Sequence, residues 1–181
     1  MNKTKTTEII LAGFGGQGVL FAGKLVAYAG LLAEKEVSWL PSYGPEMKGG
    51  TANCSVIVSD TKIGSPIILK PNILIALNLP SLGKFEDDVI PGGIMLIDSS
   101  LIDRKTARTD AEAHYIPATR LADESGLKGL ANMVMVGKLI RESGAIGYDF
   151  TLSAMKKCVP ERKKDLLEMN LKAIDLGYNF K

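Results

Sequence analysis

Six residues near the amino end, Gly13-Phe14-Gly15-Gly16-Gln17-Gly18, put glycines at 13, 15 and 18 in the spacing G-x-G-x-x-G. Glycines let a turn tighten and let backbone N–H groups approach a phosphate with no Cβ in the way. A helix that starts directly afterwards adds its positive end. Gly16 gives the turn more freedom, and Gln17 offers an amide beside the helix start. The chemistry open to such a loop is anion binding. A dinucleotide site also wants an acid about 20 positions on, at the carboxyl end of the second strand. Glu34 and Glu36 precede that strand's body, and its end reads Pro41, Ser42, Tyr43. No Lys-Ser or Lys-Thr pair follows the glycines, so a nucleoside-triphosphate loop is excluded. NAD is disfavoured, which leaves another anion, a partner surface, or a tight turn with a purely structural role.

The other polar residues that gather at expected carboxyl ends of strands are Ser42 and Tyr43, Asn78, and Asp98 with Ser99. In open parallel sheets this edge is where ligands bind. Glu46 and Lys48 bracket Met47 in a loop rich in glycine and proline, and they read equally as a solvated ion pair or as part of a site. Asp98 has no carboxylate or histidine placed beside it by sequence, so a turn or helix-cap role is the commoner reading than a general base. His114 stands alone, Cys54 falls inside a strand, and no serine occupies a nucleophile elbow. Two cysteines cannot hold an iron-sulfur cluster, and with one histidine a zinc site is not expected. No catalytic residue and no metal ligand emerges, so redox chemistry would have to be supplied by another chain.

The elements that must position these residues follow from apolar patterning. Glu8–Ala12 reads as a strand buried on both faces, residues 17–33 as a helix packed on the sheet, and Glu36–Leu40 as a second strand. The segment PSYGPEMKGG forbids regular structure, and Thr51–Ser59 alternates as a strand that ends in a turn at 60–62. A short strand near Ile63, strands at Ile73–Leu77 and Gly93–Asp98, a helix from Pro80 and an edge strand at His114–Pro117 follow. Helices are expected around Thr119–Glu124, Leu130–Glu142, Thr151–Cys158 and Arg162–Leu176. This is an α/β chain with a Rossmann-like, mostly parallel sheet flanked by helices, a helical C-terminal third, and a single domain over residues 1–181. A net charge of +2 with no basic stripe argues against nucleic acid. No apolar run approaches the roughly 20 residues of a membrane span, and no signal-peptide core follows the start, so a cytoplasmic protein without membrane contact is expected.

The combination of GFGGQG after a strand, SYGPEMKGG at 42–50, TANCSVIVSD at 51–60 and NMVMVGKLI at 132–140 resembles the gamma subunit of 2-oxoacid:ferredoxin (or other acceptor) oxidoreductases. The likeness runs from the first strand to about Ile146, and the 2-oxoglutarate type is favoured over the branched-chain and pyruvate types. Lys48 is a departure, because arginine is common there in the family; lysine keeps the charge and loses the planar fork. The resemblance implies a subunit in a complex that oxidatively decarboxylates a 2-oxoacid onto coenzyme A. Thiamine diphosphate and magnesium would sit on alpha and beta subunits, and iron-sulfur clusters on beta or a separate delta subunit. Ferredoxin or flavodoxin would be reached through the complex. It implies cofactor-side contacts at Gly13, Gly15, Gly16, Gln17, Gly18, Ser42, Tyr43, Lys48 and Asn78, with coenzyme A or a partner carboxylate as the anion. The alternative is a free-standing Rossmann-like domain that binds a nucleotide or coenzyme A, against which the missing acid after the second strand counts.

Overall fold

The computed structural model describes residues 5–42 and 51–181. Its strands are β1 (Thr6–Phe14), β2 (Glu36–Ser42), β3 (Thr51–Ser59), β4 (Ile73–Ala76), β5 (Ile94–Asp98) and β6 (Glu112–Ile116). The helices are α1 (Val19–Leu32), α2 (Leu79–Phe85), α3 (Ala118–Glu124), α4 (Ala131–Ser143), α5 (Tyr148–Cys158) and α6 (Lys164–Asn179). One sheet takes all six strands in the order β2-β3-β1-β4-β5-β6. β1, β4, β5 and β6 are mutually parallel, and β3 alone runs against its neighbours.

The placement of β3 is what sequence pattern did not foresee. It pairs with β1 along its whole length, from Thr6 opposite Ser59 to Phe14 opposite Thr51, and so separates β1 from β2. At about 4.8 Å per strand, the carboxyl end of β2 lies roughly 10 Å from the glycine loop rather than beside it. A ribose-binding acid at the end of β2 would therefore be out of place, which is a physical reason for its absence. β2 is an edge strand and continues through Pro41 to Ser42, two residues beyond the expected Leu40. An edge tolerates the proline because its missing N–H has no ladder partner to lose.

Alternation along β1 divides the core. Ile9 and Leu11 face a large cluster built with α1, α4, α5 and α6, whereas Ile10 and Ala12 face a smaller one. On the large side α4 and α6 touch backbone to backbone: a Cβ on Gly177 would lie 1.8 Å from the Val134 carbonyl oxygen, and one on Gly137 would lie 2.0 Å from that of Ile174. The smaller side is closed by α2 and two irregular segments, 60–72 and 99–111, which contribute Ile68 and Ile102. No strand forms at Ile63; its side chain packs against this second cluster from coil. Segment 99–111 is tied down by polar contacts: Glu86 takes the guanidinium of Arg104 and the hydroxyl of Thr106 (3.0 Å), while Arg108 donates to the carbonyls of Glu86 (2.7 Å) and Val89 (2.8 Å). Among the described residues no helix is long and apolar enough to cross a membrane.

Candidate functional site

The chain leaves β1 in a turn that closes on itself. The Gln17 amide N–H donates to the Phe14 carbonyl (3.2 Å), and the Gln17 side-chain oxygen accepts from the Phe14 N–H (2.6 Å). Its side-chain NH2 reaches across to the Leu77 carbonyl at the end of β4 (3.1 Å). Gln17 thus holds the loop to the neighbouring strand. Gly16 and Gly18 carry φ of +95° and +70°, the left-handed region in which a side chain costs energy. Gly18 is the N-cap of α1, and its position leaves room for Asn132: a Cβ on Gly18 would lie 2.3 Å from Asn132 Nδ2.

Asn132 is the link that makes this a two-helix site. Buried at the start of α4, it donates from Nδ2 to the Gly18 carbonyl (3.1 Å) and so fixes the first turn of α4 against the first turn of α1. Neither N-cap residue makes a side-chain cap bond and neither first turn holds an acid, although within α4 the Asn132 Oδ1 accepts from the Met133 N–H (3.0 Å). Each helix start carries roughly half a positive charge together with N–H groups that lack intrahelical acceptors. Beside the turn and the start of α4 lies a cavity of about 180 Å3 lined by Gly16, Gln17, Leu77, Leu101, Thr119 and Ala131, with the Asp123 carboxylate also in its wall. A second hollow of about 230 Å3, lined by Gly15, Phe21 and Ala52 among others, flanks the same turn. This arrangement can bind and orient an anion by backbone dipoles.

The other expected residues fall into place around it. Asn78 is 2% exposed and caps α2, its Oδ1 accepting from the Ser81 N–H (2.8 Å), while its Nδ2 and the Ser81 hydroxyl have no protein partner among the described residues. Ser42 is exposed at the end of β2, opposite Asn53 and two strands from the glycine turn. Tyr43, Glu46 and Lys48 lie outside the described residues. Asp98 is fully buried and accepts from Ser100 N–H (3.1 Å), Thr119 N–H (3.3 Å) and the Thr119 hydroxyl (2.6 Å), the turn-and-cap role that its sequence context favoured. Ser99 donates to the Ile116 carbonyl (2.9 Å). His114 sits on the far edge strand, 3.0 Å from Glu112. Burial pushes the Cys54 thiol up to about 12, and it also raises that of Cys158, so neither is an activated nucleophile. Among the described residues no three potential metal ligands converge.

Sequence reasoning missed Asn132 and Thr119. The signal for Asn132 was available, since it is the polar residue opening the apolar run MVMVG, but only the structure shows that it meets Gly18.

A model of the pyruvate ferredoxin/flavodoxin oxidoreductase family matches residues 8–180. The chain is 39% identical over 171 residues to the ketoisovalerate oxidoreductase subunit VorA of Methanothermobacter thermautotrophicus, a match that takes in 94% of this chain and 35% of VorA. It is 38% identical over 184 residues to the 2-oxoglutarate synthase subunit KorC of Methanocaldococcus jannaschii, taking in 98% of this chain and 97% of KorC. The chain thus spans about a third of the length of one relative and nearly all of the other. Among solved structures, the gamma subunit of a keto/oxoacid ferredoxin oxidoreductase from Geobacter sulfurreducens is 28% identical, with a TM-score of 0.82 over 95% of this chain and 96% of that one. The 2-oxoglutarate:ferredoxin oxidoreductase of Magnetococcus marinus, solved with 2-oxoglutarate, coenzyme A and succinyl-CoA bound, shares the fold at 24% identity. Its TM-score is 0.85, over 98% of this chain and 32% of that one.

Proposed function

The chain belongs to the pyruvate ferredoxin/flavodoxin oxidoreductase family, and from that premise we propose that it is the gamma subunit of a 2-oxoacid:ferredoxin oxidoreductase that converts 2-oxoglutarate and coenzyme A to succinyl-CoA and carbon dioxide. The whole chain works as one domain, and its task is to hold the anionic part of coenzyme A beside a reaction centre carried by alpha and beta subunits. Thiamine diphosphate on those subunits supplies the carbanion sink, with magnesium and iron-sulfur clusters beside it and ferredoxin or flavodoxin as the outlet for electrons.

The observation that carries this reading is the meeting of two uncapped helix starts at the glycine turn, clamped by Asn132 on the Gly18 carbonyl. The donor set suits a phosphate or pyrophosphate group, and a cavity of about 180 Å3 takes a group of that size rather than a whole nucleotide. Backbone N–H groups around Gly15, Gly16 and Gly18 supply the donors. Gly13 keeps the turn close to β4, since a Cβ there would lie 3.1 Å from Leu77 Cβ. Gln17 and Asn78 brace the edge, Gln17 through the Leu77 carbonyl and Asn78 as the cap of α2. Support for 2-oxoglutarate comes from the near-full-length match to KorC.

Steady-state kinetics of the assembled complex test this. Gly16→Val leaves the core untouched, because a Cβ at Gly16 meets nothing within 4 Å, yet it forces the turn out of φ +95°. We expect the KM for coenzyme A to rise at least tenfold with the KM for 2-oxoglutarate unchanged. Normal kinetics in a correctly assembled variant would remove the coenzyme A role.

A further inference from the structure

At the end of α4 opposite Asn132, the helix meets β6 and the last turn of α6 around a cavity of about 380 Å3, lined by His114, Lys138, Arg141, Glu142, Tyr178 and Phe180 among others. Lys138 is 5% exposed. Its ammonium lies 2.7 Å from Glu142 Oε1 and donates to the Phe180 carbonyl (3.0 Å). The bond from Lys138 holds the Glu142 carboxyl below its ordinary value of 4.5, so it stays ionised and the pair carries no net charge. An ammonium has three N–H groups, and the third has no partner among the described residues. Arg141 is in a different position. Its guanidinium lies 5.3 Å from the centre of the Tyr178 ring, which packs at 4.7 Å on Tyr148. Among the described residues no carboxylate forms an ion pair with it.

We propose that this cavity binds a small organic anion, whose carboxylate or phosphate group is taken by the Arg141 guanidinium and the remaining Lys138 N–H. Charge balance supports this. Glu142, the carboxylate in the wall, is already neutralised by Lys138, which leaves the positive charge of Arg141 unmatched. A guanidinium presents a planar fork of donors that fits two oxygens at once, and contact with an aromatic ring limits the freedom it would lose on binding. The volume falls within the range of roughly 300 to 1,000 Å3 typical of small-molecule sites, so there is room for a body beside the charged group, against Tyr178 and Phe180. His114 closes the wall from β6. Its Nε2 is shielded from solvent, 3.0 Å from Glu112 Oε1 without a hydrogen bond to it. Coenzyme A at the glycine turn is not required, because that crevice adjoins Ala131, at the other end of α4.

The chain has a single histidine, so the imidazole resonances of His114 report from this wall without overlap. The test is an NMR titration of the full untagged chain at fixed pH and ionic strength with glycerol phosphate and with malonate, chloride serving as the control. We expect a saturable shift of the His114 resonances with a dissociation constant below about 1 mM; the tighter of the two probes assigns the ligand to phosphates or to carboxylates. Arg141 is exposed, so Arg141→Gln should fold as wild type by circular dichroism and should weaken binding about tenfold. Arg141→Lys, which keeps the charge and loses the fork, should weaken it about threefold. Gly16→Val, which alters the glycine turn, should bind as wild type. A shift that chloride reproduces, no saturation with either probe, or unchanged binding by folded Arg141→Gln overturns the site. Loss in Gly16→Val with retention in Arg141→Gln moves the anion to the glycine crevice and overturns it as well.

Discussion

On one side of the sheet, α1, α4, α5 and α6 bury more than twenty apolar residues, and two glycines bring α4 and α6 into backbone contact. On the other, α2 and two stretches of coil cover a cluster about a third as large, with Glu86, Arg104 and Arg108 pinning the coil by hydrogen bonds. The first side is closed by shape, and little in its interior can move without cost. The second is closed by a thin layer and polar ties, and it leaves large apolar side chains facing out. The contrast says where stability is made. The glycine turn and the crevice lie at the edge shared by both.

The contrast is most severely challenged at Gly177. A Cβ there meets the Val134 backbone at 1.8 Å, and backbone cannot rotate away as a side chain would. Gly177→Ala should therefore cost about 4 kcal/mol in urea unfolding; a loss under about 1 kcal/mol would show that the two helices have slack. On the thin side, Leu82 is fully buried, so Leu82→Ala should cost about 3 kcal/mol. A value near zero would mean that α2 is not part of a packed core. Glu86→Ala, which frees Arg104 and Thr106, should cost about 1 kcal/mol because Arg104 is partly exposed.

The same carboxyl gives the thin side an acid response. The Arg104 guanidinium holds Glu86 below its ordinary value of 4.5. The unfolded chain therefore takes up this proton at a higher pH than the native one. The stabilisation is complete above about pH 4.5 and is lost as pH falls through the lower native value. Protection factors of the amides within residues 99–111, corrected for the intrinsic pH dependence of exchange, should fall there, and Glu86→Gln should weaken that response, leaving the part due to Asp110, which Arg108 also holds below its ordinary value. Smallest of all, Leu69→Ser should alter the stability of the isolated chain by less than about 0.5 kcal/mol, because the side chain is 77% exposed; a larger loss would place it in the core.

Much of this was legible in the amino-acid pattern, because the strands are short apolar runs and the helices carry strong periodicity. Thr51–Ser59 is a strand with the predicted bounds, and the C-terminal helices lie where the pattern put them, within a few residues at each end. Strand order was not legible. Nothing local in TANCSVIVS distinguishes an antiparallel insertion beside β1 from a parallel continuation, since pairing is a contact between residues far apart in sequence. Ile63 misled for a related reason: an isolated apolar residue can be buried from coil as well as from a strand. At the site, the glycine spacing and its strand-turn-helix setting were readable. The inward use of Gln17, which spacing presented as an amide free for a ligand, was not. Nor was the Asn132 clamp, which joins positions 114 residues apart.

The central claim is that the starts of α1 and α4 grip an anionic group of coenzyme A together. Amide hydrogen exchange on the assembled complex, with and without saturating coenzyme A, tests it most directly over residues 15–21 and 130–133. The account predicts added protection in both windows at once, weakened in both by Asn132→Ala. Unchanged exchange in both windows, while coenzyme A protects amides on another subunit, would contradict it.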